Sequence, residues 1–104
     1  MARQLPQPHR DDIDLVTVLQ ALADPVRLEL IRTIAREGDP RPCSVDCYDV
    51  DVKAATLSHH WRVLREAGVT TTTVDGRRRW VTLRTDDLHT RFPGLLDAVT
   101  ADPA

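Results

Sequence analysis

The dipeptide Asp75-Gly76 lies between two runs of strand-forming residues, Val69–Val74 (VTTTTV) and Arg77–Leu83 (RRRWVTL). β-Branched residues suit a pleated surface, and Asp-Gly is the dipeptide that a tight hairpin turn favours. A lone hairpin is marginal in water, so the remaining chain must supply the surface it packs on. That remainder is helical in pattern. Leu57, Trp61 and Leu64 recur at i, i+4 and i+7 across residues 52–67, and Gly68 ends the run. Upstream, Leu15, Val18, Leu19 and Leu22 form one apolar stripe beginning at Asp14. A second helix is expected with Asp24 as N-cap and Pro25 at its first position, where a missing N–H costs nothing. Its buried side is read as Leu28, Ile31, Ile34 and Ala35, and Gly38 stops it.

Asp39-Pro40-Arg41-Pro42 reads as a rigid turn, and Cys43–Asp51 as a short helix at most. Helical spacing returns at Leu88, Phe92, Leu95 and Val99; Pro93-Gly94 divides it into a helix near residues 86–91 and another starting at Pro93. Residues 1–12 are polar with two prolines and are expected to be a loose arm; residues 101–104 are a tail. The order over residues 13–100 is helix, helix, short helix, helix, hairpin, helix. It predicts a mainly α domain with a small β-hairpin wing, a winged helix-turn-helix.

At 104 residues the chain has room for one domain, and a thin core of this size often gains stability by oligomerising. No apolar run approaches a membrane span, and two cysteines do not make a disulfide scaffold, so the expected location is the cytoplasm. The net charge of −2 conceals an uneven distribution. Residues 53–84 carry seven basic side chains against Glu66 and Asp75, while the segments on either side are acidic. A central basic block flanked by acidic ends fits contact with phosphate.

In residues 52–67 the apolar stripe faces inward, which leaves Lys53, Thr56, Ser58, His59 and Arg62 on the outer side. Such a helix can lie in the major groove while its back packs on the domain. Arg77, Arg78 and Arg79 follow the hairpin turn, where a wing meets an adjacent stretch of DNA. Alternation sends Arg78 to the face opposite Arg77 and Arg79. His60 stands beside the core stripe and is read as a partly buried, hydrogen-bonded histidine. The alternative is a helical dimerisation module without specific DNA binding, for which three arginines on a hairpin tip have no use.

Ala21–Ile34 (ALADPVRLELIRTI), Ser58–Val69 (SHHWRVLREAGV) and Asp75–Leu83 (DGRRRWVTL) resemble the ArsR/SmtB family of bacterial winged-helix repressors, over residues 15–100. The resemblance implies a homodimer, formed through the first and last helices, that binds double-stranded operator DNA and is released by a metal or another chemical signal. It makes residues 52–67 the recognition helix, with Thr56, Ser58 and His59 on DNA. The sequence departs from the family before that helix. SVDCYDVDVKAAT is about two residues shorter than the usual segment, and Lys53, Ala54 and Ala55 stand where polar residues are common.

Cys43 and Cys47 fall where many relatives carry a Cys-x-Cys metal motif, but their spacing is Cys-x3-Cys. They are candidates for an effector or redox site, offering two ligands to a thiophilic ion or a strained disulfide. Asp87 and His89 give half of the family's second metal site, with Thr100 and Pro103 where further ligands belong. No metal or other cofactor is expected, and the inducer is unknown. Cys43, Cys47 and His59 also make half of a zinc-finger pattern, but the adjacent His60 points about 100° away and cannot close it. No nucleophile, base and cleft combine into a catalytic site, so the chain is read as a non-enzyme.

Overall fold

The computed structural model describes residues 2–101, so all but the first residue of the proposed tail lies outside it. Five helices carry a four-stranded antiparallel sheet. In chain order they are β1 (Arg3–Gln4), α1 (Leu15–Leu22), α2 (Pro25–Glu37), β2 (Arg41–Pro42), α3 (Ala54–Ala67), β3 (Thr70–Asp75), β4 (Arg78–Leu83), α4 (Thr85–Arg91) and α5 (Leu95–Thr100). Single 3-10 turns stand at Arg10–Asp12 and Val45–Cys47. This is the winged helix-turn-helix, with β3 and β4 as the wing.

The helix ends follow the expected side-chain chemistry. The Asp24 carboxylate accepts from the N–H groups of Val26 and Arg27 at 2.9 and 3.0 Å, with Pro25 opening α2. These bonds hold its pKa below the usual carboxylate range. Asp14 caps α1 in the same way through Thr17 at 3.0 Å. Gly38 and Gly68 end α2 and α3 at φ +90° and +87°.

The core lies between the inner faces of the helices and the inner face of the wing. Leu57, Trp61 and Leu64 are buried as their spacing requires, together with Leu30, Ile31, Val69 and Val81. Two stripes differ from expectation. On α1, Val18 and Leu22 are buried but Leu15 and Leu19 stay 42% and 45% exposed, beside Val16 at 60%. On α2, Leu30, Ile31, Thr33 and Ile34 are buried, Leu28 is half-buried and Ala35 is exposed. Contacts with α3, α5 and β4 all fall on α2, and together they rotate its inner side toward Leu30.

Two segments have more structure than their composition suggests, and a third has less. The expected loose arm adds β1 to the sheet, with Arg3 opposite Val74 and Gln4 opposite Thr73. It continues past the wing base to α4, where the Arg10 Nε donates to Asp87 at 2.6 Å and Arg84 donates to the Pro8 carbonyl. Arg91 secures the same segment through the Asp11 and Ile13 carbonyls at 2.8 and 2.9 Å. The expected rigid turn contributes β2, an edge strand beside β4, which is where sheets tolerate proline. The last helix starts at Leu95 rather than Pro93, because Gly94 takes φ +86° and serves as its N-cap.

The hairpin turn is shifted by one residue. Asp75 pairs with Arg78, so the connection is Gly76-Arg77 with only the glycine at positive φ. A glycine at the first central position is the pattern of a two-residue type II′ turn. Arg77 therefore lies in the turn. Arg78 and Arg79 begin β4 on opposite faces, Arg79 on the side of Val81 and Leu83.

Gly68 is the tightest point of the frame. A Cβ there would lie 2.7 Å from the Ile13 Cγ1 and 3.2 Å from the Pro8 Cγ, on a left-handed backbone. Gly68→Ala is expected to destabilise the domain by about 1–3 kcal/mol, from the left-handed penalty plus displacement of Ile13. Urea unfolding checks this; an unchanged midpoint would show that the residue 8–13 segment yields without cost.

Candidate nucleic-acid interface

The buried and exposed sides of α3 are set by its periodicity. Leu57, His60, Trp61, Leu64 and Ala67 are buried. Lys53, Thr56, Ser58, His59 and Arg62 are all exposed. Lys53 precedes the helix as its N-cap residue and provides no side-chain cap, so the first turn of α3 keeps its N–H groups free of side-chain partners. An Arg62 Nη contacts the His59 Nδ1 at 3.1 Å, which aligns these two side chains one turn apart.

The wing stands beside this face. Arg77, Arg78 and Arg79 are exposed, and none forms an ion pair or side-chain hydrogen bond among the described residues. A groove of about 580 Å³ separates the wing tip from α3; Ala54, Leu57 and Ser58 line one wall and Arg77–Arg79 another. Cys43 and Cys47 lie along the same groove. The structure thus brings Ser58 of the exposed helix face and the three wing arginines to one groove, while Lys53, Thr56, His59 and Arg62 are exposed on or beside α3 outside its lining.

The segment in front of α3 has a single 3-10 turn, Val45–Cys47, where a full helix is usual in the resembled family. Side chains hold it instead. The Trp61 Nε1 donates to the Cys43 carbonyl at 3.0 Å, and the Tyr48 hydroxyl donates to the Pro42 carbonyl at 2.8 Å. The two rings meet edge to face with centroids 5.3 Å apart, and Arg41 covers Tyr48 while donating to the Cys47 carbonyl at 3.2 Å. Tyr48 and Arg41 were not among the expected site residues. A lone tyrosine in a chain with four aromatic residues, placed in an otherwise unpatterned stretch, is the signal that could have found it.

The cysteines are both free and partly buried. Burial pushes the Cys43 thiol up to about 11, which leaves it protonated and a poor nucleophile at neutral pH. Among the described residues no group of three His, Cys, Asp or Glu side chains could hold a metal ion. Asp87 is engaged by Arg10 and Arg84, at 2.6 and 2.9 Å, which keep its carboxyl below the usual range. His89 faces Asp97 at 3.8 Å.

A fixed helix presenting polar side chains, backed by a core and flanked by an arginine-tipped wing, defines a DNA-binding transcriptional regulator. Residues 22–73 match the family model described as a helix-turn-helix domain. The chain is 36% identical over 89 residues to the HTH-type transcriptional regulator YceK of Bacillus subtilis strain 168, covering 86% of this chain and 89% of that one. It is 28% identical over 82 residues to a cadmium resistance transcriptional regulatory protein CadC homolog of Staphylococcus aureus, covering 79% and 65%. The chain belongs to the ArsR/SmtB family of winged-helix regulators. This is a family of transcriptional regulators rather than a class of enzymes.

His60 ties this helix to α2. An Arg27 Nη1 lies 3.1 Å from its Nδ1, and the same guanidinium donates to the Ala21 carbonyl at 2.6 Å. Nδ1 can accept that bond only when the ring is neutral. Desolvation lowers the His60 pKa, nearby Asp24 opposes the shift, and Arg27 and His59 reinforce it. A folded pKa below the unfolded value of about 6.5 gives stability that is present above that pH and lost as pH falls through the folded pKa. Resistance to urea is expected to fall on acidification below about pH 6.5, and His60→Gln should flatten this part of the profile. An NMR titration placing His60 at or above the free-histidine value would contradict this.

Proposed function

We propose that the protein is a homodimeric, sequence-specific transcriptional repressor. In this reading α3 enters the major groove and the wing holds the adjoining backbone. Its main support is the groove that Ser58 of the exposed α3 face and the unpaired arginines of the wing line together. Thr56, Ser58 and His59 have the reach and polarity to read base edges. Lys53, Arg62, Arg77, Arg78 and Arg79 supply contacts to phosphate, which position the protein but carry no sequence information. A twofold dimer would place its two α3 helices about 34 Å apart, one turn of DNA, on a roughly palindromic operator. The protein would work in the cytoplasm, where its operator is.

Dimerisation has its own support. Leu15, Val16 and Leu19 are the large hydrophobics left exposed among the described residues, and all three lie on α1. A contiguous apolar patch of this kind marks an association surface. The partner proposed is a second copy of this chain, with α5 completing the interface.

Thiol oxidation or a thiophilic ion at Cys43 and Cys47 has less support as the releasing signal. Cys43 is held as the neutral thiol, and the two cysteines lack a third ligand among the described residues of one chain. The cadmium resistance named for one relative would carry over only if a second chain completed the ligand set.

Selection from a random DNA library followed by fluorescence anisotropy tests the reading. A palindromic motif should be recovered, and the absence of any enriched motif would favour a dimerisation module that leaves DNA alone. Arg77→Ala combined with Arg79→Ala should weaken binding to all sequences. At about 0.9 per phosphate, losing two contacts per protomer flattens the salt slope of the dimer by about 3.6. His59→Ala should instead change the preferred motif. Leu19→Glu should yield a folded monomer by sedimentation, with operator affinity reduced at least tenfold.

A further inference from the structure

We infer that the DNA-contacting surface extends beyond the wing onto β1, and that Arg3 is a further phosphate-binding residue. The inference rests on the DNA-binding reading above and adds a contact to it. Arg3 pairs with Val74, one residue before the closing pair of the hairpin, Asp75 with Arg78. Val74 in turn pairs with Arg79. Directly opposed residues in an antiparallel sheet project from the same face, so Arg3, Val74 and Arg79 form a single row across three strands. Adjacent strands lie about 4.8 Å apart, which puts Arg3 about 10 Å from Arg79 at backbone level. Both are on the face that includes Val81 and Leu83, the side of the wing turned toward α3.

A charged residue on an edge strand can serve simply to block edge-to-edge aggregation. Two features favour a ligand. Arg3 is exposed and makes no ion pair or side-chain hydrogen bond among the described residues, although acidic side chains are abundant elsewhere in the chain. The segment that follows the strand is also tied along β3 toward the wing base: the Leu5 N–H donates to the Thr72 carbonyl at 2.9 Å, and Gln7 accepts from Thr71 at 2.7 Å. An arginine held in one row with Arg79, with no anion of its own, creates a local positive field that a polyanion would neutralise. Duplex DNA already seated on Arg79 supplies that polyanion.

The test is anisotropy of a fluorescent operator duplex against salt concentration, for the wild type, Arg3→Ala and Arg3→Lys. Removing one phosphate contact per protomer should flatten the slope of the dimer by about 1.8, so between 50 and 200 mM salt the wild type loses about twelvefold more affinity than the variant. Arg3→Lys keeps the charge and should keep the slope. An unchanged slope in Arg3→Ala, or a loss equal in both variants, would overturn the contact. Failure of the wild type to bind any duplex would instead overturn the DNA-binding reading.

Discussion

Burial of one side of α3 is the constraint on which the rest of the molecule depends. Leu57, Trp61 and Leu64 fill the core from a single helix, and each buried large side chain of this kind is worth about 1.5–3 kcal/mol. Their spacing also determines what remains outside. With the apolar side fixed, Thr56, Ser58, His59 and Arg62 have no place but the surface. Trp61 carries the constraint further, since its ring nitrogen donates to the Cys43 carbonyl and its ring packs edge to face with Tyr48. A fold requirement and a display requirement are therefore met by the same periodicity.

The arginines divide into two populations. Arg10, Arg27, Arg84 and Arg91 are committed to carboxylates, backbone carbonyls or a ring nitrogen, and they tie α1, α2, α4 and the N-terminal segment together. Arg3 and Arg77–Arg79 have no such partners among the described residues. Guanidinium groups serve both tasks because their planar fork can saturate several carbonyls or meet a phosphate. Net charge alone hides this division, since the committed arginines are offset locally by Asp24 and Asp87.

Periodicity made the helices legible, and with them the fold: α1 to α5 all stand near their expected positions, and Asp24, Gly38 and Gly68 act as the expected caps. What escaped were elements of two residues. β1 and β2 are too short to show alternation, and their strand character comes from the neighbours they pair with rather than from their own side chains. The wing turn was displaced because Asp-Gly and Gly-Arg both offer a glycine, and only the pairing register distinguishes them. Leu15 and Leu19 were legible as apolar but not as exposed, since one chain's sequence does not say whether an apolar stripe meets its own core or another molecule. The exposed residues of the candidate interface were legible because surface position on α3 follows from the core side; Arg3 was not, because its location depends on β1.

The stretch between the Val45–Cys47 turn and α3 is held at its start by side chains, while residues 49–53 have no regular structure. Val50 and Val52 pack against the core, but the stretch has no helix or strand bonds, so its amide hydrogens should exchange well before those of Leu57 to Leu64. A first helical turn approached by pliable backbone can adjust its pitch to the groove it meets. Ordering that backbone on the duplex would make association more exothermic, with an opposing loss of entropy, than a rigid-body fit would require.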